Sequence, residues 1–123
     1  MNSTVSRFAT EEPTACAVCR RHAVWLGYGP PKRERPPVIW LCDDNGCPAA
    51  AKKVYAMPNE MLDAYEIGSA LEAGADAGAY LEGICKTDIA TLDAGEWREF
   101  LRRLFVGYEL ALRRKILNNE SPF

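Results

Sequence analysis

Hydrophobic and polar positions divide the chain into an N-terminal half with short apolar runs and a C-terminal half with helical periodicity. Residues 23–28 and 38–41 are rich in β-branched and aromatic side chains, and the proline-rich segment between them cannot continue a strand. These two runs therefore predict a β-hairpin with a long loop. Pro48 and the helix-forming residues after it predict a helix over residues 48–55.

The first part of the C-terminal half has an interrupted helical pattern. Asn59 is a candidate N-cap for a helix over residues 60–73, in which acidic residues occupy the first turn. Asp76 is a candidate cap for a second, short helix. Three glycines weaken one continuous helix here: Gly68, Gly74 and Gly78.

The last helix has the clearest pattern in the chain. Asp93 and Glu96 have the spacing of a capping box, and Asn118 with the polar residues after it predicts a helix end near residue 117. Apolar residues at about 100° per position form one broad arc: Trp97, Phe100, Leu101, Leu104, Phe105, Tyr108, Ala111 and Leu112. We therefore expect a C-terminal bundle of about three helices.

The 123-residue chain has a net charge of −2, which excludes a uniformly basic nucleic-acid coat and an acidic tail. Residues 1–55 carry eight bases and five acids, residues 56–95 one base and eight acids, and residues 96–123 six bases and four acids. No apolar run approaches the roughly 20 residues of a membrane span, and the first residues lack the basic and apolar regions of an export signal. We therefore expect a cytoplasmic protein in a reducing compartment, without membrane contact.

Four of the five cysteines form two pairs, one on each side of the predicted hairpin. Cys16 and Cys19 are separated by two residues, and Cys42 and Cys47 by four. Tetrahedral zinc takes four such ligands from two tight turns, and backbone N–H groups of the turns stabilise the sulfur charge. Disulfides and unrelated buried thiols are the competing interpretations, but the paired spacing disfavours them and disulfides belong to oxidising compartments. The pattern therefore predicts one structural zinc ion as the cofactor.

The four-residue gap between Cys42 and Cys47 requires residues that can adopt turn conformations. Asn45 and Gly46 are expected to supply positive φ angles within the four-residue gap. Because the predicted helix follows directly, Cys47 should lie at its N-terminus, where the helix dipole favours a thiolate.

A cysteine knuckle, a β-hairpin, a second cysteine pair and a helix follow one another in residues 15–56, and in this order they resemble the treble-clef class of zinc fingers. The resemblance implies that Cys16, Cys19, Cys42 and Cys47 bind the metal and pin the knuckle to the helix. The second pair has four intervening residues where that class usually has two, so a zinc ribbon and an irregular zinc loop stay open as alternatives. The whole chain resembles small phage and prophage zinc-finger proteins of unknown function.

These elements together predict a mainly helical α+β protein. Residues 1–14 are polar and aperiodic, which is typical of a flexible tail. Residues 15–57 are predicted to form the four-cysteine zinc module, and residues 58–123 the helical domain.

The remaining reactive residues favour a non-catalytic protein. His22 lies three residues after Cys19 and is an alternative ligand, but four cysteines already complete a zinc shell. Cys85 has no partner at ligand spacing, so we expect a buried, inert thiol. A catalytic zinc needs an open position near a base, and Asp43 and Asp44 are more typical of a solvated turn. No residue is predicted to be catalytic.

The hairpin loop carries the candidate partner-binding residues of the zinc module. Lys32, Arg33 and Arg35 have prolines on both sides, so their charges are displayed at low entropic cost. Other bases of the module are candidates for the same surface: Arg20, Arg21, Lys52 and Lys53. Trp25 and Trp40 are available for stacking on bases, but we expect them to pack in the small core.

Val106 and Leu110 are candidate partner-binding residues on the last helix, because they lie in a charged arc opposite the main apolar arc. The short helices and a partner, including a second copy of the chain, are equal candidates to cover them. The sequence as a whole favours a regulatory zinc-finger protein that contacts nucleic acid through the basic loop. The alternative is a protein-binding adaptor, or a phage-type inhibitor of a host protein complex, with purely structural zinc; the acidic segment 60–93 supports this alternative.

Overall fold

A computed structural model describes residues 9–10, 14–29, 38–44 and 46–121. In these residues a small antiparallel sheet is followed by three α-helices and one 3₁₀ turn, Ile89–Thr91, between the last two helices. The strands are β1 (Ala9–Thr10), β2 (Val24–Tyr28) and β3 (Val38–Leu41), and the helices are α1 (Gly46–Ala56), α2 (Asn59–Gly83) and α3 (Ala94–Leu117). The prediction of a mainly helical α+β fold is confirmed.

The sheet has the strand order β1-β3-β2, so the predicted hairpin of β2 and β3 is present and β3 is central. β1 pairs with β3 through Ala9 opposite Ile39 and Thr10 opposite Val38. Two residues of the segment 1–14, for which no regular structure was predicted, thus form an edge strand. The pairing of β2 is irregular at its start, and this register shift lies next to the cysteine knuckle.

The prediction of two short helices after residue 58 is wrong, because α2 is one helix of 25 residues. Pro58, with an extended backbone, occupies the N-cap position that was predicted for Asn59, and Asp76 lies inside the helix. A Cβ at Gly74 or Gly78 would meet no atom within 4 Å, so both glycines cost only their helix propensity, roughly 1 kcal/mol each. The contacts that α2 makes with α3 along its length offset this cost.

The ends of α3 lie where the sequence predicts them. The side chain of Asp93 accepts a hydrogen bond from the N–H of Glu96 at 2.8 Å, and the Glu96 carboxylate accepts one from the N–H of Asp93 at 3.0 Å, which completes the capping box. At the other end Asn119 is left-handed with φ 53°, and the N–H of Glu120 bonds the carbonyl of Lys115. This pattern is a Schellman motif, which stops the helix.

The buried core is continuous across the predicted boundary between residues 57 and 58. Leu62 and Tyr65 of α2 and Leu112 and Ile116 of α3 belong to the same buried cluster as the four paired cysteines and α1. We call this part of the α2–α3 hairpin, residues 59–66 and 111–117, the near end. The rest of the hairpin, residues 67–83 and 94–110, is the far end, and there each helix packs mainly on the other.

The apolar arc predicted for α3 therefore has two different environments. Ala111 and Leu112 are buried in the near end. Trp97 and Phe105, in the far end, keep 44% and 65% of their surface exposed. The far end is a two-helix hairpin in which no third described helix covers the arc.

Candidate metal centre

The first two cysteines lie in a tight turn that is fixed by backbone hydrogen bonds. The N–H of Val18 donates to the Sγ of Cys16 at 3.4 Å, as predicted for a thiolate-binding turn. The N–H of Ala17 donates to the carbonyl of Trp40 at 2.9 Å, which attaches the turn to β3. Arg20 follows with φ 72°, a left-handed conformation that closes the turn, although an arginine rather than a glycine occupies it.

The second pair spans the passage from β3 to α1. Cys42 follows β3 directly, and Cys47 is the second residue of α1, as predicted. The Asp44 side chain accepts a hydrogen bond from the N–H of Gly46 at 3.0 Å, and its carbonyl accepts one from the N–H of Cys47 at 3.1 Å. Asp44 is therefore the turn residue that starts the helix.

The role predicted for Gly46 is wrong, because none of the described glycines has a positive φ. Glycine instead leaves room for a neighbouring side chain: a Cβ on Gly46 would lie 3.0 Å from Cδ of Arg113, a tight contact. Asn45, the other residue predicted to have a positive φ, lies outside the described residues.

The two pairs meet in one buried cluster. The four sulfur atoms all lie within 4.8 Å of one another, and the four residues are at most 2% exposed: Cys16, Cys19, Cys42 and Cys47. The Sγ atoms of Cys19 and Cys42 are 3.8 Å apart. Thiolates bound to tetrahedral zinc at about 2.3 Å are about 3.8 Å from one another, so this spacing suits a zinc site. The cluster can hold one metal ion.

The sulfur atoms affect one another's protonation. The pKa of Cys16 is lowered, chiefly because its thiolate accepts a hydrogen bond from Cys19 and another from Cys47. The hydrogen bond to Cys16 raises the pKa of Cys19 to about 12, and the pKa of Cys47 is raised for the same reason. The thiolate of Cys16 is thus stabilised while Cys19 and Cys47 are kept protonated. Several thiolates at this spacing need a cation to compensate their charge.

The last helix also contributes to the centre, through Arg113. Its guanidinium Nη1 lies 3.8 Å from the Sγ of Cys47 and 3.3 Å from Oδ2 of Asp44. Burial alone would lower the pKa of Arg113. The hydrogen bond to Cys47 and the charges of Cys47 and Asp44 outweigh this effect, so the pKa is raised and Arg113 remains charged. Sequence reasoning missed this residue, because Arg113 is 66 positions from Cys47 and its helical neighbours suggest a solvated face.

Two of the bases predicted to form one surface, Arg20 and Lys53, make hydrogen bonds within the protein. Nε and Nη2 of Arg20 donate to Oε2 of Glu66 at 3.1 and 2.8 Å, and Nη1 donates to the carbonyl of Ala17. Lys53 donates to the carbonyl of Leu117 at 2.8 Å. These bonds attach the knuckle and α1 to the near end of the hairpin. The three bases of the loop lie outside the described residues: Lys32, Arg33 and Arg35.

Other predicted candidates have the following positions. His22 is exposed, forms an isolated β-bridge with Ala15, and does not belong to the sulfur cluster. The prediction that Cys85 is buried is wrong: it is exposed, with φ 57°, in the Schellman motif that ends α2. Local sequence did not indicate this conformation, because glycine is the usual residue there.

Val106 and Leu110 are exposed, by 38% and 50%. Leu110 lines a groove of about 280 Å³ between α2 and α3, where polar side chains such as Glu72 and Arg114 surround it. Both residues are therefore accessible to a partner, and the described helices do not cover them.

No protein-family model, no curated protein and no solved structure matches this chain. The resemblance to phage and prophage proteins stays a prediction from the sequence. Among the described residues, none of the helices is both long enough and apolar enough to cross a membrane.

Proposed function

We propose that this chain is a non-catalytic zinc-finger protein, in which one zinc ion has a structural role. The observation that carries the proposal is the set of four buried thiols within 4.8 Å of one another. Zinc prefers four ligands in structural sites, and four thiolates leave no position for a reactive water. The ion would join the knuckle, β3 and α1, and its chemistry would be limited to holding them together.

Metal analysis and spectroscopy test this role. We expect about one equivalent of zinc per chain after dialysis. Cobalt(II) substitution should give the intense visible absorption of tetrahedral cobalt with four thiolates. A spectrum with three thiolates, or one that changes when a small anion is added, would indicate an open metal site and would contradict the structural role.

Nucleic acid is the first candidate partner. Three closely spaced bases in the loop between β2 and β3 favour contact with phosphates: Lys32, Arg33 and Arg35. The strands that carry this loop lead directly to the metal centre, since Cys42 follows β3. A structural zinc ion would therefore fix the end of the hairpin that lies opposite the loop.

The salt dependence of binding tests this partner. Replacing the three loop bases by alanine should lower the slope of log affinity against log salt by up to about three units. The matched control replaces three partly exposed bases outside the zinc module by alanine, Lys86, Arg102 and Arg114, and should change the slope less. Equal effects of the two triple variants would show that binding does not use the loop.

A protein partner is the second candidate, and the exposure of Val106 and Leu110 favours it. Leu110 lines a groove with polar side chains and Val106 lies one helical turn before it, so the two side chains together offer apolar contact area beside charged groups. Val106→Glu with Leu110→Glu should leave the chain folded and abolish capture of the partner. A variant that still captures the same protein would exclude this site.

A further inference from the structure

One side of the far end is apolar and uncovered. Ala70 and Ala73 of α2 and Leu104, Phe105 and Tyr108 of α3 line a groove of about 240 Å³. Ile67 lies three residues before Ala70 and four before Leu71, so Ile67 and Leu71 share the flank of the groove on α2, and they are 56% and 64% exposed. Trp97 lies seven residues before Leu104, on the same stripe of α3. We call this surface the far face.

The opposite side of the same two helices is stabilised by charges. Arg103 lies 3.8 Å from Asp76, and Arg114 lies 2.8 Å from Glu72, so ion pairs connect α2 and α3 there. Arg103 also lies over the ring of Tyr80. The far face has none of these ion pairs, and its exposed aromatic and aliphatic side chains are adjacent to one another. Such a patch on a small protein indicates a contact surface.

The two helices that form the far face have opposite charge. α2 contains six acidic residues and no basic one, whereas α3 contains six basic and three acidic residues. Glu82 lies on the stripe of Leu71, three turns further along α2, and Arg98 lies on the stripe of Phe105, two turns earlier on α3. Both are exposed, and neither forms an ion pair with another described residue.

We propose that the far face binds a second copy of this chain, so that two α2–α3 hairpins form an antiparallel four-helix bundle. A two-fold axis parallel to the helices places α2 of each subunit on α3 of the other, with the loop ends at the same height. Acidic α2 then meets basic α3 twice, and Glu82 of each subunit faces Arg98 of the other. An axis across the helices would instead place α2 on α2 and bring the acids together.

The size of the far face is sufficient for a reversible dimer. Sixteen residues from Ile67 to Glu82 span about 24 Å, and two helices are about 20 Å wide, so each subunit contributes roughly 500 Å². The total of roughly 1,000 Å² is at the lower limit for specific interfaces. We therefore expect a monomer–dimer equilibrium in the micromolar range, rather than a permanent dimer.

Sedimentation equilibrium of the full chain with its metal, at concentrations from about 1 µM to about 1 mM, tests the dimer. The unchanged protein should approach twice its mass of 13.7 kDa. Leu71→Glu and Phe105→Glu should each raise Kd by about 100-fold or more, since each buries an unpaired carboxylate. Leu26→Glu, the matched change of an exposed leucine on β2, should leave Kd unchanged. A monomer throughout the range, or dissociation caused by Leu26→Glu alone, would overturn the proposal.

Charge reversal tests the arrangement of the two subunits. Glu82→Arg places two arginines opposite each other at both contacts, and Arg98→Glu places two glutamates there, so each variant alone should dimerise at least about tenfold more weakly. An equimolar mixture should form the heterodimer, because both contacts then pair arginine with glutamate. A mixture no tighter than either variant alone would overturn the proposed pairing of α2 with α3. The result does not depend on nucleic acid or on another partner protein.

Discussion

The near and far ends of the α2–α3 hairpin consist of the same two helices but are stabilised in different ways. At the near end, Leu112 and Ile116 are buried beside the cysteine cluster, and Arg113 contacts Cys47 directly. At the far end, the two helices pack mainly on each other, apart from contacts such as the ion pair of Glu109 with Arg21, and Phe105 remains largely exposed. The comparison shows that the cysteine cluster of residues 16–47 packs directly against a helix that begins at residue 94.

Removal of the metal should have the largest effect on stability, and this effect should be concentrated at the near end. Cys16→Ser or Cys47→Ser should unfold the near end, because structural zinc contributes on the order of 10 kcal/mol or more in small fingers. Cys85→Ser is the matched control, since Cys85 is exposed and outside the cluster, and it should leave the metal content and melting temperature unchanged. Metal analysis and thermal melts distinguish these outcomes.

Circular dichroism measures how much helical structure is lost when the metal is removed. We expect part of the helical signal to survive removal of the metal by a strong chelator, since α3 has its own capping box and packs along α2. Complete loss of that signal would show that the far end also depends on the metal centre, and that residues 58–123 are not a separate folding unit.

The next largest effect should come from truncating apolar side chains, which should lower the free energy of unfolding more at the near end than at the far end. Leu112→Ala removes a fully buried side chain and should lower the free energy of unfolding by about 2–5 kcal/mol. Phe105→Ala, in dilute solution, should change it by about 0.5 kcal/mol or less, because Phe105 is 65% exposed in the monomer. Chemical denaturation measures both values, and equal costs would contradict the difference between the ends.

Two glycine-to-alanine substitutions should change the free energy of unfolding by smaller amounts and in opposite directions. Gly46→Ala should lower the free energy of unfolding by about 1 kcal/mol, because the new Cβ displaces Arg113 from Cys47 and Asp44. Gly74→Ala should raise it by about 0.4–1 kcal/mol, since the added methyl group meets no atom and favours the helix. If both changes stabilise the protein, the close contact at Gly46 is not important.

The smallest effect should come from Glu72, a half-exposed residue that pairs with Arg114 and Lys115. The hydrogen bond from Arg114 lowers the pKa of Glu72 in the folded protein. Its contribution is therefore complete above the pKa of the unfolded chain and is lost as the pH falls through the folded pKa. Glu72→Gln should cost about 0.5 kcal/mol at neutral pH and nothing in strong acid. A pH-independent difference in stability would contradict this explanation.

Local signals account for the parts of the fold that the sequence predicts correctly. The limits of α3 follow from Asp93 with Glu96 and from Asn119, because these residues make hydrogen bonds within a few positions. The placement of Cys47 at the start of α1 follows from Pro48, because proline is favoured in the first turn of a helix. The cluster of four cysteines follows from the spacing of its two turns.

The predictions that failed depend on contacts between distant parts of the chain. Helix α2 continues through Gly74 because α3 packs along it, and no local rule contains that partner. Gly46 is needed because of Arg113, and Arg20 is bound by Glu66, at separations of 67 and 46 positions. In both cases the local residue type suggested turn geometry or a solvated charge, which the distant contact overrides.

The burial of the cysteines by α3 has a consequence for the order in which this protein matures during synthesis. Leu112 lies 65 positions after Cys47. At translation rates of about 5–20 residues per second, roughly 3–13 s pass between the synthesis of the last ligand and that of the helix that covers it. During this interval the four thiols have been synthesised without their final cover, so they are accessible to a metal ion before the C-terminal helix encloses them.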